Sequence, residues 1–129
     1  MKISKDVENM AREALVANGI TAYCRPLPKN YVLPNILISE VGGNQVTDWS
    51  ETPHLDVVDL VLDARAHSEA EALELRSAAV GVLQSSGAFR SVTVNSRTGW
   101  GTDPVRPDLA MCSVRIRVRA GLVEVQNGN

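Results

Sequence analysis

Two groups of charged side chains are the first places to look for chemistry in this sequence. His54, Asp56, Asp59 and Asp63 follow one another closely, and imidazole plus carboxylate is a donor set that a divalent metal accepts. Arg115, Arg117 and Arg119 alternate with Ile116 and Val118, and a row of guanidiniums on a strand can hold phosphate oxygens or an acidic protein surface. Strand geometry argues against the metal. Asp56 and Asp59 are an odd number of positions apart, so a regular strand sends them to opposite faces. His67, just ahead of a helix cap, reads as a solvated side chain. For the arginine row, Asp59, Asp63 and Asp56 offer cross-strand partners, because opposite charges facing each other across a sheet are mildly stabilising. The row therefore pairs within the sheet, meets another subunit, or touches nucleic acid, in that order of expectation.

Covalent catalysis lacks its parts. There is no G-x-S-x-G elbow, and neither Cys24 nor Cys112 stands in a motif that would lower a thiol pKa. Both cysteines fall inside expected strands and read as buried free thiols. Gly42-Gly43-Asn44-Gln45 is not followed by Lys-Ser/Thr or by a helix start, so it is no phosphate loop. Glu69, Glu71 and Glu74 gather at a helix N-terminus, where the dipole alone favours carboxylates. The expectation is a protein without catalytic, cofactor-binding or metal-binding residues.

Trp49 and Trp100 remain. Each sits in a long stretch without clear periodicity, residues 42–54 and 95–108, and such connections are uncommon in compact domains unless they bind something. An indole there either folds back on its own domain or fills a partner's pocket. Gly99 and Gly101 leave Trp100 little local packing, which favours the partner. Trp49, Trp100, Arg115, Arg117 and Arg119 are thus the candidate protein-interface residues.

The elements that carry these residues are legible from periodicity. Val7, Met10, Ala11, Ala14 and Leu15 predict a first helix with Gly19 as its stop. Ile20, Ala22 and Cys24 predict a short strand, and Ile36, Leu37 and Ile38 a second one ending or bulging at Gly42-Gly43. Val58, Leu60, Leu62 and Ala64 predict a half-buried strand running into Ser68-Glu69-Ala70-Glu71, the pattern of a capping box. The helix that follows buries Ala72, Leu75, Ala79, Val82 and Leu83 and stops at Gly87. Phe89, Val92 and Val94 suggest a strand of uncertain register, and Val114, Ile116 and Val118 a final strong one. The fold class is α+β: one domain over residues 1–129, with a mixed or antiparallel sheet of four to five strands packed against two helices, and two long loops.

Composition agrees with a packed aliphatic core. The chain has 129 residues, 44% of them hydrophobic but only 4% aromatic, so Val, Leu, Ile and Ala must fill the interior. A formal charge of −2 gives no general attraction to a phosphate backbone. No apolar run reaches the roughly 18 residues of a membrane span, and Met1-Lys2-Ile3-Ser4-Lys5-Asp6 does not read as a signal peptide. The expected location is the cytoplasm in which the chain is made.

Taken in order, the N-terminal helix, the strand ending at Val41-Gly42-Gly43, the Asp56 strand running into Ser68-Glu69-Ala70-Glu71-Ala72-Leu73, and the Arg-x-Arg-x-Arg strand after a Pro-Asp element resemble the tail terminator proteins of long-tailed bacteriophages. The resemblance spans nearly the whole chain and rests on order, lengths and soft motifs. It implies a virion subunit that closes into a homo-hexameric ring on the head-proximal end of the tail tube. Its partners would be copies of itself, the tail tube protein and the head–tail connector, with DNA passing through the lumen without sequence-specific binding. The family transfers no catalytic residue and no cofactor. The alternatives are a head-completion or neck protein, and a cytoplasmic dimeric regulatory module that binds a small ligand between sheet and helix.

Overall fold

The structure is a computed structural model that describes residues 5–47, 53–98, 101–102 and 106–121. Two helices and a mixed sheet make one α+β unit, in the order α1 (Lys5–Ala17), β1 (Ala22–Cys24), β2 (Asn35–Thr47), β3 (Pro53–Ala66), α2 (Glu69–Ser85), β4 (Ser91–Arg97), β5 (Gly101–Thr102) and β6 (Ala110–Gly121). The strands lie in the order β1-β2-β3-β6-β4, with β5 paired to β6. Among the described residues β1 and β2 pair in parallel, and the remaining pairings are antiparallel.

Alternation in the central strands decides which side the helices cover. In β3 and β6, Leu60 faces Ile116, Leu62 faces Val114 and Ala64 faces Cys112, and the first four of these are wholly buried. Ile36 and Ile38 of β2 continue the same layer opposite Ala64 and Leu62. Val7, Ala11 and Leu15 of α1 and Ala72, Ala79 and Leu83 of α2 close over it. Small residues on the helices let them lie close to the large aliphatic side chains of the strands, as a core almost free of aromatics requires.

Helix α2 begins where the sequence placed it. Ser68 is extended, with φ −140° and ψ 159°, and its Oγ accepts from the Glu71 amide. The reciprocal contact differs by one residue from a standard box, since it is the His67 amide that donates to Glu71 Oε1, at 3.1 Å. At the other end Gly87 takes φ +81° after the Ser86 cap, a left-handed turn that glycine adopts without steric cost. Gly19, at φ +83°, closes α1 in the same way.

Three expectations need correction. Residues 42–54 are not one long loop: Gly42 to Thr47 continue β2, and Pro53 to Leu55 already belong to β3, paired from Gly42↔Asp59 to Thr47↔Pro53. Of the end or bulge expected at Gly42-Gly43, the structure has the bulge, a register shift between Glu40 and Gly42. A well-formed partner strand overrides the poor strand propensity of this polar, glycine-rich run. Residues 95–108 are likewise interrupted, because β4 reaches Arg97 and β5 pairs with Met111 and Ala110. The first strand starts at Ala22, with Ile20 ahead of it. Cys24 and Cys112 are free thiols separated by β2 and β3. Three strand spacings amount to about 14 Å, beyond the reach of a disulfide.

Candidate functional site

The face of the sheet turned away from the helices carries the charged residues singled out in the sequence. Asp59 of β3 stands directly opposite Arg117 of β6, and Arg115 lies one diagonal step away, opposite Val61. Arg117 donates to both carboxylate oxygens, from Nε to Oδ1 at 2.9 Å and from Nη2 to Oδ2 at 3.3 Å, while Arg115 Nη2 donates to Oδ2 at 3.0 Å. The Asp59 side chain is 11% exposed under guanidiniums that are 46% and 48% exposed. The hydrogen bonds from Arg117, reinforced by those from Arg115 and by both positive charges, hold the Asp59 carboxyl below the usual aspartate range against the opposing effect of burial. Asp59 in turn raises the Arg117 pKa through its hydrogen bond and charge.

One carboxylate between two guanidiniums leaves this cluster with an excess of positive charge. Arg119, exposed and opposite Val57, makes no ion pair among the described residues. Asp63 is engaged by the Ser113 hydroxyl across the same pair of strands. Half-buried Leu37, Val57, Val61 and Met111 fill the spaces between these polar groups. The row is therefore an in-sheet ion-pair cluster at Arg115 and Arg117, and an uncommitted cation at Arg119.

At one end of this face the connector 25–34 crosses back between the parallel strands. Its Tyr31 ring lies under the buried Arg65 guanidinium, 4.7 Å from the ring centroid, a cation–π contact. Arg106 reaches Tyr31 Oη at 3.4 Å and forms a two-pronged ion pair with Asp108. That pairing lowers the Asp108 pKa and raises that of Arg106. Behind the sheet, buried Arg76 of α2 donates from Nη1 to the carbonyls of Thr98 and Ser113, each at 3.1 Å, fixing the exit of β4 to β6. Sequence reasoning missed Arg76 although the signal was present: it occupies the stripe position between Ala72 and Ala79, where an arginine must find acceptors.

Other candidates are placed as follows. Trp49 and Trp100 lie outside the described residues, as do the side chains of His54 and Asp56. Among the described residues no group of three His, Cys, Asp or Glu side chains is close enough to share a metal ion. Burial is the main cause that raises both thiol pKa values, with Glu8 adding to it at Cys24 and Asp63 at Cys112, the opposite of what activates a cysteine nucleophile.

Among the described residues no strand pairs with the outer side of β1 or of β4, the two margins of the sheet. At β1, Thr21 O accepts from Ile36 N and Arg25 N donates to Ile38 O, so by alternation Ala22 and Cys24 turn their amides and carbonyls outward. Beside this edge runs a groove of about 660 Å³ between α1 and β1, lined by Arg12, Val16, Ile20 and Cys24 among others. At the opposite margin β4 presents its outer side, where Gln84 Nε2 contacts the Val92 carbonyl. Among the described residues no helix is long and apolar enough to cross a membrane. No protein-family model matches the chain, and no curated protein matches it in sequence.

Proposed function

We propose that this chain is a virion structural protein, a tail terminator of a long-tailed bacteriophage. It acts by closing into a ring, expected to be hexameric, on the head-proximal end of the tail tube. There it stops tube polymerisation and offers a face to the head connector. The observation that carries the reading is a sheet with two unlike margins, β1 and β4, at its opposite sides, neither of which has an outer partner strand among the described residues. Unpaired edges are a liability that proteins cover or use, and a contact between unlike surfaces propagates head to tail and closes into a ring when the rotation allows. The paired state of Arg115 and Arg117 also supports a conduit, since a wall with its guanidiniums held by Asp59 grips passing DNA less than a free arginine row. The virion tail would be its place of work, after assembly in the host cytoplasm.

The groove between α1 and β1 gives the ligand-binding regulatory module its one supporting observation. A head-completion protein is the nearer rival, and would bind a portal ring rather than a tube. Negative-stain imaging of the protein alone and mixed with its tail tube protein separates these readings. The proposal expects rings and tubes capped at one end. A persistent dimer whose melting temperature rises with a small ligand, and which leaves tube growth unchanged, would overturn it.

A further inference from the structure

The β1 margin and its groove have a chemistry that specifies what can sit there. Arg12 and Val16 are one helical turn apart on α1, so their side chains stand about 6 Å from each other along the groove. Val16 is 49% exposed, and Arg12 makes no ion pair among the described residues. The neighbouring carboxylate of Glu8 is already engaged, accepting from the Glu40 amide at 2.8 Å. The outward backbone groups of Ala22 and Cys24 can bond one further strand. On such a strand, side chains two residues apart are about 6.7 Å apart, a spacing that fits Val16 and Arg12 with one apolar and one acidic residue. The occupant is therefore an extended segment of pattern apolar-x-acidic.

The chain contains that pattern directly after β6, in Leu122-Val123-Glu124-Val125-Gln126. We propose that this segment of one copy adds as a parallel strand to β1 of the next copy, with Leu122 over Val16 and Glu124 against Arg12. Strand addition takes its affinity from main-chain hydrogen bonds and its specificity from alternate side chains. The register is self-consistent, because Leu122 and Glu124 then pair with Ala22 and Cys24. Ala22 and Cys24 sit beside Ile36 and Ile38, the layer that α1 covers.

The same chain cannot satisfy its own groove. Cys24 aligns through Ile38 and Leu62 with Val114 of β6, a lateral distance of about 14 Å across three strand spacings. Gly121 lies seven positions beyond Val114, about 23 Å along the strand. The separation is then about 27 Å, whereas five extended residues span at most about 18 Å. Each copy thus gives one segment and receives one, a head-to-tail contact. The inference rests on the ring reading above and names the contact that joins neighbours.

The test uses the full chain with point substitutions, read by light scattering after size exclusion. Arg12→Glu and Glu124→Lys are each expected to weaken self-association at least tenfold, and the double variant to recover most of it. Val16→Asp combined with Arg12→Glu inactivates the groove, and Leu122→Asp combined with Glu124→Ala inactivates the segment without creating a charge partner for the acidified groove. Each variant alone should be monomeric, and their mixture should stop at a one-to-one dimer, since only one productive contact remains. Circular dichroism of all variants should show the helix and strand content of the native chain, and their melts should differ from it only by the stabilisation that association supplies. Native-like assembly of either single reversal, failure of the double reversal to recover, or a mixture that stays monomeric would overturn the inference while leaving the ring reading intact. If the reversals behave as expected but the native chain grows into open filaments, the inference stands and the ring reading falls.

Discussion

On the side of the sheet that meets the helices, Leu60, Leu62, Val114 and Ile116 are wholly removed from water, whereas on the other side the same two strands hold Asp59, Arg115 and Arg117 in a cluster whose guanidiniums are nearly half exposed. Neighbouring residues of one strand therefore serve different ends. The covered side supplies the free energy of folding through apolar burial, and the open side contributes little beyond fixing register and leaving a charged surface available for contacts. Substitutions one position apart should separate these two roles.

The largest effect is expected on the covered side. Leu60→Ala removes a fully buried side chain from the centre of the sheet, and such truncations cost about 2–5 kcal/mol because the cavity collapses only in part. Chemical denaturation should show a lower midpoint with an unchanged slope. Arg76→Met comes next, at about 2 kcal/mol. It keeps the aliphatic stem under α2 but leaves the carbonyls of Thr98 and Ser113 without their donor. Hydrogen exchange should then accelerate in β4 and at the adjoining end of β6 more than in β2.

A smaller effect, about 1 kcal/mol, is expected from Asp59→Asn, since the guanidiniums it anchors are well solvated and the pair is partly screened. Its signature is the pH dependence. The Asp59 pKa is depressed in the folded protein, so its stabilisation is complete above the ordinary aspartate pKa and is lost as pH falls through the lower folded value. Melting temperatures of the native chain should drop more steeply on acidification below about pH 4 than those of Asp59→Asn. Parallel curves would mean that other carboxylates account for the acid sensitivity.

The comparison also explains what the sequence disclosed. Period-two alternation is strong in β3 and β6 because each has one dry face and one charged face, so the core layer could be read directly, and cross-strand pairing of the arginine row was the leading expectation, with the choice of Asp59 over Asp63 and Asp56 coming only from the register. The capping residues around Ser68 and the stop at Gly87 were local signals for local geometry. The continuation of β2 through Gly42 to Thr47 was hidden because its order comes from pairing with β3, a contact that propensity does not record. The short β5 and the Tyr31–Arg65 stack depend on residues far apart in sequence. Arg76 escaped notice because Leu75 beside it satisfied the apolar pattern, although the more deeply buried position is the arginine. The two tryptophans that marked the interface loops lie outside the described residues, so the open sheet margins, which no periodicity announces, carry the functional reading instead.

The finest division falls within the open side. Arg117 and Arg119 are two positions apart on β6 and both exposed, yet one is bound to a carboxylate and the other has no ion pair among the described residues. Arg119 also offers its carbonyl to the Arg90 amide at 2.7 Å, a contact that a side-chain truncation leaves in place. Arg119→Ala should accordingly shift folding stability by no more than about 0.5 kcal/mol, as expected of a surface substitution away from any specific contact. Its melting curve should keep the native chain's sensitivity to ionic strength, whereas that of Arg117→Ala should lose part of it. If Arg119→Ala destabilises the isolated chain as much as Arg117→Ala does, the open side works as one continuous charge network. The division between a committed pair and an uncommitted cation then has no physical basis.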